Sequence, residues 1–285
     1  MKVCEIKAKS VLTKSGLPGA DFVVNPYVGC SFGCQYCYAA FIGRWKHPGE
    51  DWGSFVDVKV NASEVLKKQL LKLEKQKLAK DFGTVFFSSV TDPYLGLEAK
   101  YQITRKCLES LVDFEYQGEV SILTKSPLVT RDIDIFKKLK RVSVGLTITS
   151  LDDKVSQFLE GKAPPVSSRL KALKELNANS IDTYAFVGPI LPYFVAQEEK
   201  LDKLFQAIKE AGTSEIWCEH INLSPKIKIR LFNYLKSNKP ELIAKFEEAN
   251  TREYQTKLEA VVRELAKKHK LNLVGNKVIF HGRFR

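Results

Sequence analysis

Residues 25–39 read NPYVGCSFGCQYCYA, and they set Cys30, Cys34 and Cys37 in a C-x3-C-x2-C pattern within eight positions. Three thiols this close in sequence either converge on one metal centre or are held apart at a cost. Thiolates select soft metals, which leaves zinc, copper(I) or an iron–sulfur cluster. A structural zinc site wants a fourth protein ligand, whereas a 4Fe-4S cluster on three cysteines keeps one iron open to a small molecule. No second CxxC or Cys-His pair is present to complete a zinc site. His47, ten residues past Cys37 in a Pro/Gly-containing loop, reads as a loop residue and not as a ligand.

Working outward, the run before the loop, residues 21–29 (DFVVNPYVG), reads as a strand that delivers the cysteines from its C-terminal end. Residues 54–60 (SFVDVKV) alternate as a half-buried strand, and 62–80 repeat Leu66, Leu70 and Leu73 at helical spacing. A strand, loop, helix rhythm follows. Strands are expected at 84–90, 119–126, 141–150, 180–192 and 214–224, the one at 180–192 stopped by its two prolines. Helices are expected at 101–117, 131–139, 152–160, 165–177 and 197–211. Together with 21–29 this makes six β/α units, and right-handed crossovers curl such a series into a parallel sheet with helices outside. The fold class is therefore α/β, a partial (β/α)6 TIM-like barrel with a C-terminal helical extension. Residues 1–20 form an N-terminal arm, 21–224 the barrel, and 225–285 the extension, with helices at 225–238 and 241–270 and a closing strand at 276–282 that carries His281.

Composition restricts the function. A hydrophobic share of 44% over 285 residues provides for an ample core, and no apolar run approaches the length of a membrane span. The N-terminus has no apolar export segment, and six cysteines with three of them clustered suit a reducing compartment, so a cytoplasmic location is expected. A net charge of +12 invites a nucleic-acid partner, because lysines and arginines that neutralise phosphates release counterions. Much of that lysine alternates with glutamate on helix faces, as in residues 64–80, where it reads as a solvated surface. Cys4, Cys107 and Cys218 stand alone; Cys107 shares a helix face with Ile103 and Leu111 and belongs to the core.

The cysteine spacing, with Tyr36 just before the last cysteine, resembles the cluster motif of the radical S-adenosylmethionine (SAM) superfamily. The wider run NPYVGCSFGCQYCYA is similar to its spore photoproduct lyase-like branch. The resemblance continues to about residue 222 and implies a 4Fe-4S cluster on Cys30, Cys34 and Cys37 with SAM chelated at the open iron. It also implies an electron donor of ferredoxin or flavodoxin type. Tyr36 is expected against the adenine of SAM, and Tyr36 and Tyr38 match two tyrosines that pass a hydrogen atom in the lyases. Thr91 and Asp92, ending the second strand, match the family's signature segment. Lys125 ends the third strand, where its compact ammonium suits a carboxylate, and Ser150 ends the fourth with a hydroxyl for SAM. Glu160 and Arg169 match the family's E-x-x-AP glutamate and its following arginine, as cofactor contacts or as a structural ion pair. Phe186, Val187 and Ile190 offer an apolar wall, and Glu219, sharing a strand face with Trp217, is expected to face substrate or a nearby arginine.

One departure stands out. Lyases carry a cysteine just before the signature segment that returns a hydrogen atom to the repaired thymine, and here the positions are Ser89 and Val90. The expected activity is reductive cleavage of SAM and hydrogen abstraction from a substrate, foremost a nucleic acid, with altered hydrogen return. A peptide, protein or RNA substrate is the enzymatic alternative. A non-catalytic iron–sulfur protein that binds nucleic acid, or a zinc-binding regulator, is the alternative of another class.

Overall fold

The computed structural model describes residues 1–281 except Leu78. Eleven strands run through the described chain: β1 (Lys2–Ile6), β2 (Leu12–Lys14), β3 (Phe22–Val24), β4 (Tyr27–Gly29), β5 (Phe55–Lys59), β6 (Val85–Phe87), β7 (Glu119–Thr124), β8 (Arg141–Thr147), β9 (Asp182–Ile190), β10 (Glu215–His220) and β11 (Asn272–Ile279). Eight of them form one sheet in the order β11-β10-β9-β8-β7-β6-β3-β2. From β3 through β6, β7, β8, β9 and β10 to β11 every neighbour pair is parallel, and only β2 is antiparallel. Except at β3 to β6, where β4 and β5 also intervene, helices separate consecutive parallel strands. The six predicted strands are therefore adjacent and in chain order, as β/α crossovers require. β11 adds a seventh parallel strand.

The central strands are buried because both faces are covered: Val120, Ile122 and Thr124 of β7 and Val144, Gly145, Leu146 and Thr147 of β8 are buried. The helices behind them turn in apolar stripes, such as Ile103, Cys107, Leu108 and Leu111 of the Ile103–Asp113 helix. Burying each such side chain contributes about 1.5–3 kcal/mol.

Several expectations are corrected. Residues 21–29 are not one strand. The chain breaks at Asn25–Pro26, where proline removes a ladder donor, and β4 leaves to join a second sheet, β1-β5-β4. The cysteines thus follow a strand of this small sheet. Residues 1–20 supply β1 to the small sheet and β2 to the edge of the large one. β5 is not half-buried: Phe55, Val56, Asp57 and Val58 are all inside, and Asp57 is tolerated because His47 Nε2 lies 3.0 Å from its carboxylate. β9 runs through Pro189, the first of its two prolines, and ends at Ile190, two residues before Pro192. The expected 241–270 helix is broken: Ile243–Glu248 ends and Arg252–Lys268 restarts, because the Thr251 hydroxyl caps the amide of Tyr254 at 3.3 Å. Gly282 of the expected closing strand lies outside the described residues.

Candidate active site at the cysteine loop

The cysteine loop lies against the strand-end loops of the large sheet, held by backbone contacts that leave little slack. Gln35 N donates to Leu159 O (2.8 Å), and Lys162 N donates to Phe32 O (2.9 Å). The turn at Gly161 makes this approach possible: its φ of +58° is a conformation side chains rarely adopt, and a Cβ there would sit 2.6 Å from Phe32 O. On the other side a Cβ on Gly53 would fall 2.7 Å from the Cα of Gly33. Thr91 donates its hydroxyl to Gly29 O at 2.5 Å, tying the segment after β6 to the residue before Cys30. Asn25 accepts from the amides of Ser89 (3.0 Å) and Val90 (3.3 Å) and steadies the same junction.

Cys30 and Cys34 are buried and Cys37 is half-buried. Burial pushes the Cys34 thiol up to about 12, and burial raises Cys30 and Cys37 as well. A thiolate here therefore needs a cation. Among the described residues no three His, Cys, Asp or Glu side chains crowd one point closely enough to share a single ion. Ligands that each hold a different iron of a cluster need not do so. Two buried N–H donors beside the loop, Trp52 Nε1 and Arg230 Nε, find no acceptor among the described residues. Three desolvated thiols in one loop, with donors left over around them, fit an iron–sulfur group.

The predicted site residues gather around this loop, mostly bound to one another. Asp92 is buried, and its carboxylate accepts from Tyr94 N (2.8 Å), from the Thr124 hydroxyl (2.6 Å) and from Lys125 N (2.8 Å). It thereby fixes the end of β7 that carries Lys125. The Lys125 ammonium stands 5.9 Å from the ring centroid of Tyr36 and, among the described residues, has no carboxylate at salt-bridge distance. Tyr36 donates its hydroxyl to Glu160 Oε1, which also accepts from Thr149 at 3.2 Å. Glu160 Oε2 accepts from Arg169, whose remaining donors go to Pro164 O (2.7 and 2.9 Å) and Thr147 O (3.1 Å). Glu160 and Arg169 are 1% and 0% exposed, so this is a buried ion pair with its hydrogen bonds satisfied. Burial alone would raise the Glu160 carboxyl; Arg169 and Lys125 outweigh it and hold it below its ordinary value. Ser150 is buried after β8, where its hydroxyl accepts from Asp152 N (3.0 Å) and starts the turn into the Asp153–Glu160 helix. Tyr38 is 48% exposed and donates to Ser89 O.

Two features escaped the sequence reading. Glu219 has no arginine at salt-bridge distance among the described residues; partly exposed, it is hydrogen-bonded to His281 Nε2. Arg230 reaches from the Pro225–Asn238 helix to donate to Gly33 O (3.2 Å) and Trp52 O (3.4 Å). The sequence marked a helix at 225–238 but carried no signal that one arginine turns toward the cysteines. A depression of about 410 Å³ also opens beside the loop, lined in part by Ser31, Phe32, Ser126 and Lys162.

Comparison with known proteins shows the family and the fold. The family model described as the radical SAM superfamily matches residues 24–205. An uncharacterized protein of Methanocaldococcus jannaschii is 35% identical over 241 residues, covering 85% of each chain. A radical SAM Nalpha-GlyT isomerase of Pseudomonas phage M6 is 24% identical over 195 residues, 68% of this chain and 38% of that protein. Among solved structures, spore photoproduct lyase complexed with dinucleoside spore photoproduct superposes with a TM-score of 0.74 at 17% identity, over 98% of this chain and 82% of that one. At that identity the likeness speaks for the fold, a radical SAM partial barrel. The family implies an iron–sulfur cluster and SAM, and the chain belongs to the radical SAM superfamily and is a radical SAM enzyme.

Proposed function

We propose that Cys30, Cys34 and Cys37 hold a 4Fe-4S cluster with one iron left for SAM, and that the enzyme takes hydrogen from a nucleic-acid substrate. The observation that carries this reading is the three-thiol loop strapped to the strand ends, with the Lys125 ammonium, which has no carboxylate at salt-bridge distance among the described residues, standing over Tyr36. Held by Cys30, Cys34 and Cys37, the cluster would supply SAM with an electron drawn from a ferredoxin- or flavodoxin-type donor, and so the radical chemistry that takes hydrogen from a C–H bond.

The residues divide the remaining work. Lys125 binds the SAM carboxylate, and Asp92 aims it by holding its backbone amide. Ser150 keeps an O–H to donate and Thr91 keeps lone pairs to accept, so both hydroxyls remain open to SAM beyond their own contacts. Glu160 and Arg169 act through Tyr36, setting its ring beside the adenine. Tyr38, half in solvent, is the group placed to exchange a hydrogen atom with substrate, with Tyr36 behind it. With serine and valine at positions 89 and 90, hydrogen return does not use a thiol there. The reaction is accordingly a repair-like or modifying step, distinct from thiol-assisted lysis of a thymine dimer.

Nucleic acid is favoured over peptide by the +12 charge and by the dinucleoside complex of the structural relative. A cytoplasmic location is proposed from the thiol chemistry, and no helix among the described residues is long and apolar enough to cross a membrane. The test compares 5′-deoxyadenosine formation with added duplex DNA, single-stranded DNA, RNA and peptide, alongside binding at several salt concentrations. A nucleic acid should stimulate turnover, and log K should fall with log salt. A slope near zero, or stimulation by peptide alone, rejects the nucleic-acid reading.

A further inference from the structure

Arg230 lies beyond the segment matched by the family model, on a helix that packs over the cysteine loop from the C-terminal side. It is the side chain there that bridges two loops: one terminal nitrogen donates to Gly33 O, next to Cys34, and to Trp52 O. These loops already touch through Gly33 and Gly53, so the guanidinium clasps a contact that no larger residue would permit. Its Nε–H is buried and has no acceptor among the described residues. Gly33, which it holds, immediately precedes Cys34, so the guanidinium is tied to the cysteine loop itself. A buried donor left without an acceptor is costly, and a fixed charge beside two thiol ligands acts with little screening.

We propose that Arg230 is a positioning residue for the iron–sulfur cluster: it clasps the cysteine loop to the Trp52 loop and directs its free N–H and its charge at the cluster sulfurs. The inference rests on the proposed cluster. A cation and an N–H donor at the sulfurs both favour the reduced, more negative state of a cluster, so they raise its reduction potential. A lysine in its place keeps the charge but lacks the fork that spans two carbonyls and a third acceptor.

The test is a redox titration of reconstituted protein under anaerobic conditions, followed by electron paramagnetic resonance, for wild type, R230Q and R230K. R230Q should disfavour reduction about tenfold, a fall of ~59 mV for a one-electron couple, and R230K should recover most of it. A second readout covers the event that R230Q loses its cluster. Wild-type protein labelled with 15N-arginine should show a 15N coupling to the reduced cluster that is missing in R230K. An unmoved potential in an R230Q protein of full iron content, or an unchanged 15N coupling in R230K, overturns the role of Arg230 alone. A wild-type chain that takes up no iron overturns the proposed function as well.

Discussion

The two sides of the site are built differently. On the side formed by the ends of β6, β7 and β8, the buried polar groups answer one another: Asp92 holds Thr124 and Lys125, Glu160 holds Tyr36, Thr149 and Arg169, and Thr91 holds Gly29. On the side formed by β10, β11 and the Pro225–Asn238 helix, groups pair singly or not at all, as with Glu219 and His281, half-buried Trp217, and the orphaned Nε of Arg230. The first side falls within the segment matched by the family model and the second beyond it. A saturated network fixes one geometry, which suits a cofactor that never changes. Sparse pairing leaves donors and acceptors for a partner that differs from one family member to the next.

This contrast is open to attack from both sides. The largest effect is expected on the saturated side: Cys34→Ala should abolish cluster retention, read as iron and sulfide per chain after anaerobic reconstitution. Glu160→Gln leaves Arg169 buried without its counter-charge and should destabilise the fold by about 3–5 kcal/mol, measured by denaturant unfolding. A loss below 1 kcal/mol would mean that the pair is not the strut described here. Gly161→Ala, which drives a Cβ toward Phe32 O, should cost about 1–3 kcal/mol and loosen the cysteine loop, seen as faster hydrogen exchange at Gln35 and Lys162. Lys125→Met should weaken SAM binding by about 1.5–3 kcal/mol in calorimetry while leaving the unfolding midpoint in place. That last combination separates it from the buried struts.

The smallest effect belongs to the sparse side. The hydrogen bond to Glu219 raises His281 above its ordinary value of 6.5. A raised histidine stabilises the folded state fully below its unfolded pKa, and that contribution disappears as pH rises through the folded one. The β10–β11 edge should therefore be firmest at mildly acidic pH and relax above neutrality, by less than about 1 kcal/mol for so exposed a pair. His281→Gln should remove the dependence, and a pH-independent edge in wild type would contradict the pairing.

Much of the saturated side is legible in the chain because strand ends and cysteine spacing are local signals. TVFFSSVTD announces both a buried strand and the turn that Asp92 makes, and EVSILTKS announces the strand end where Lys125 stands. What the chain hides is which neighbour a polar group finds. Glu160 and Arg169 match cofactor contacts in pattern, yet burial turned them into a pair braced on Tyr36 and Pro164. Residues 55–59 alternate as a half-exposed strand does, and only the small sheet, with His47 closing over Asp57, accounts for their burial. Arg230 stands almost 200 positions from the glycine it touches, a separation across which no periodicity reaches.

The central claim, that the saturated side holds a working cluster and SAM, is tested most directly without any substrate. The reconstituted protein is reduced with dithionite in the presence of SAM, and 5′-deoxyadenosine is quantified. The account predicts its formation by the wild-type chain and its absence in Cys34→Ala. No 5′-deoxyadenosine from a wild-type protein carrying a full complement of iron and sulfide would contradict it.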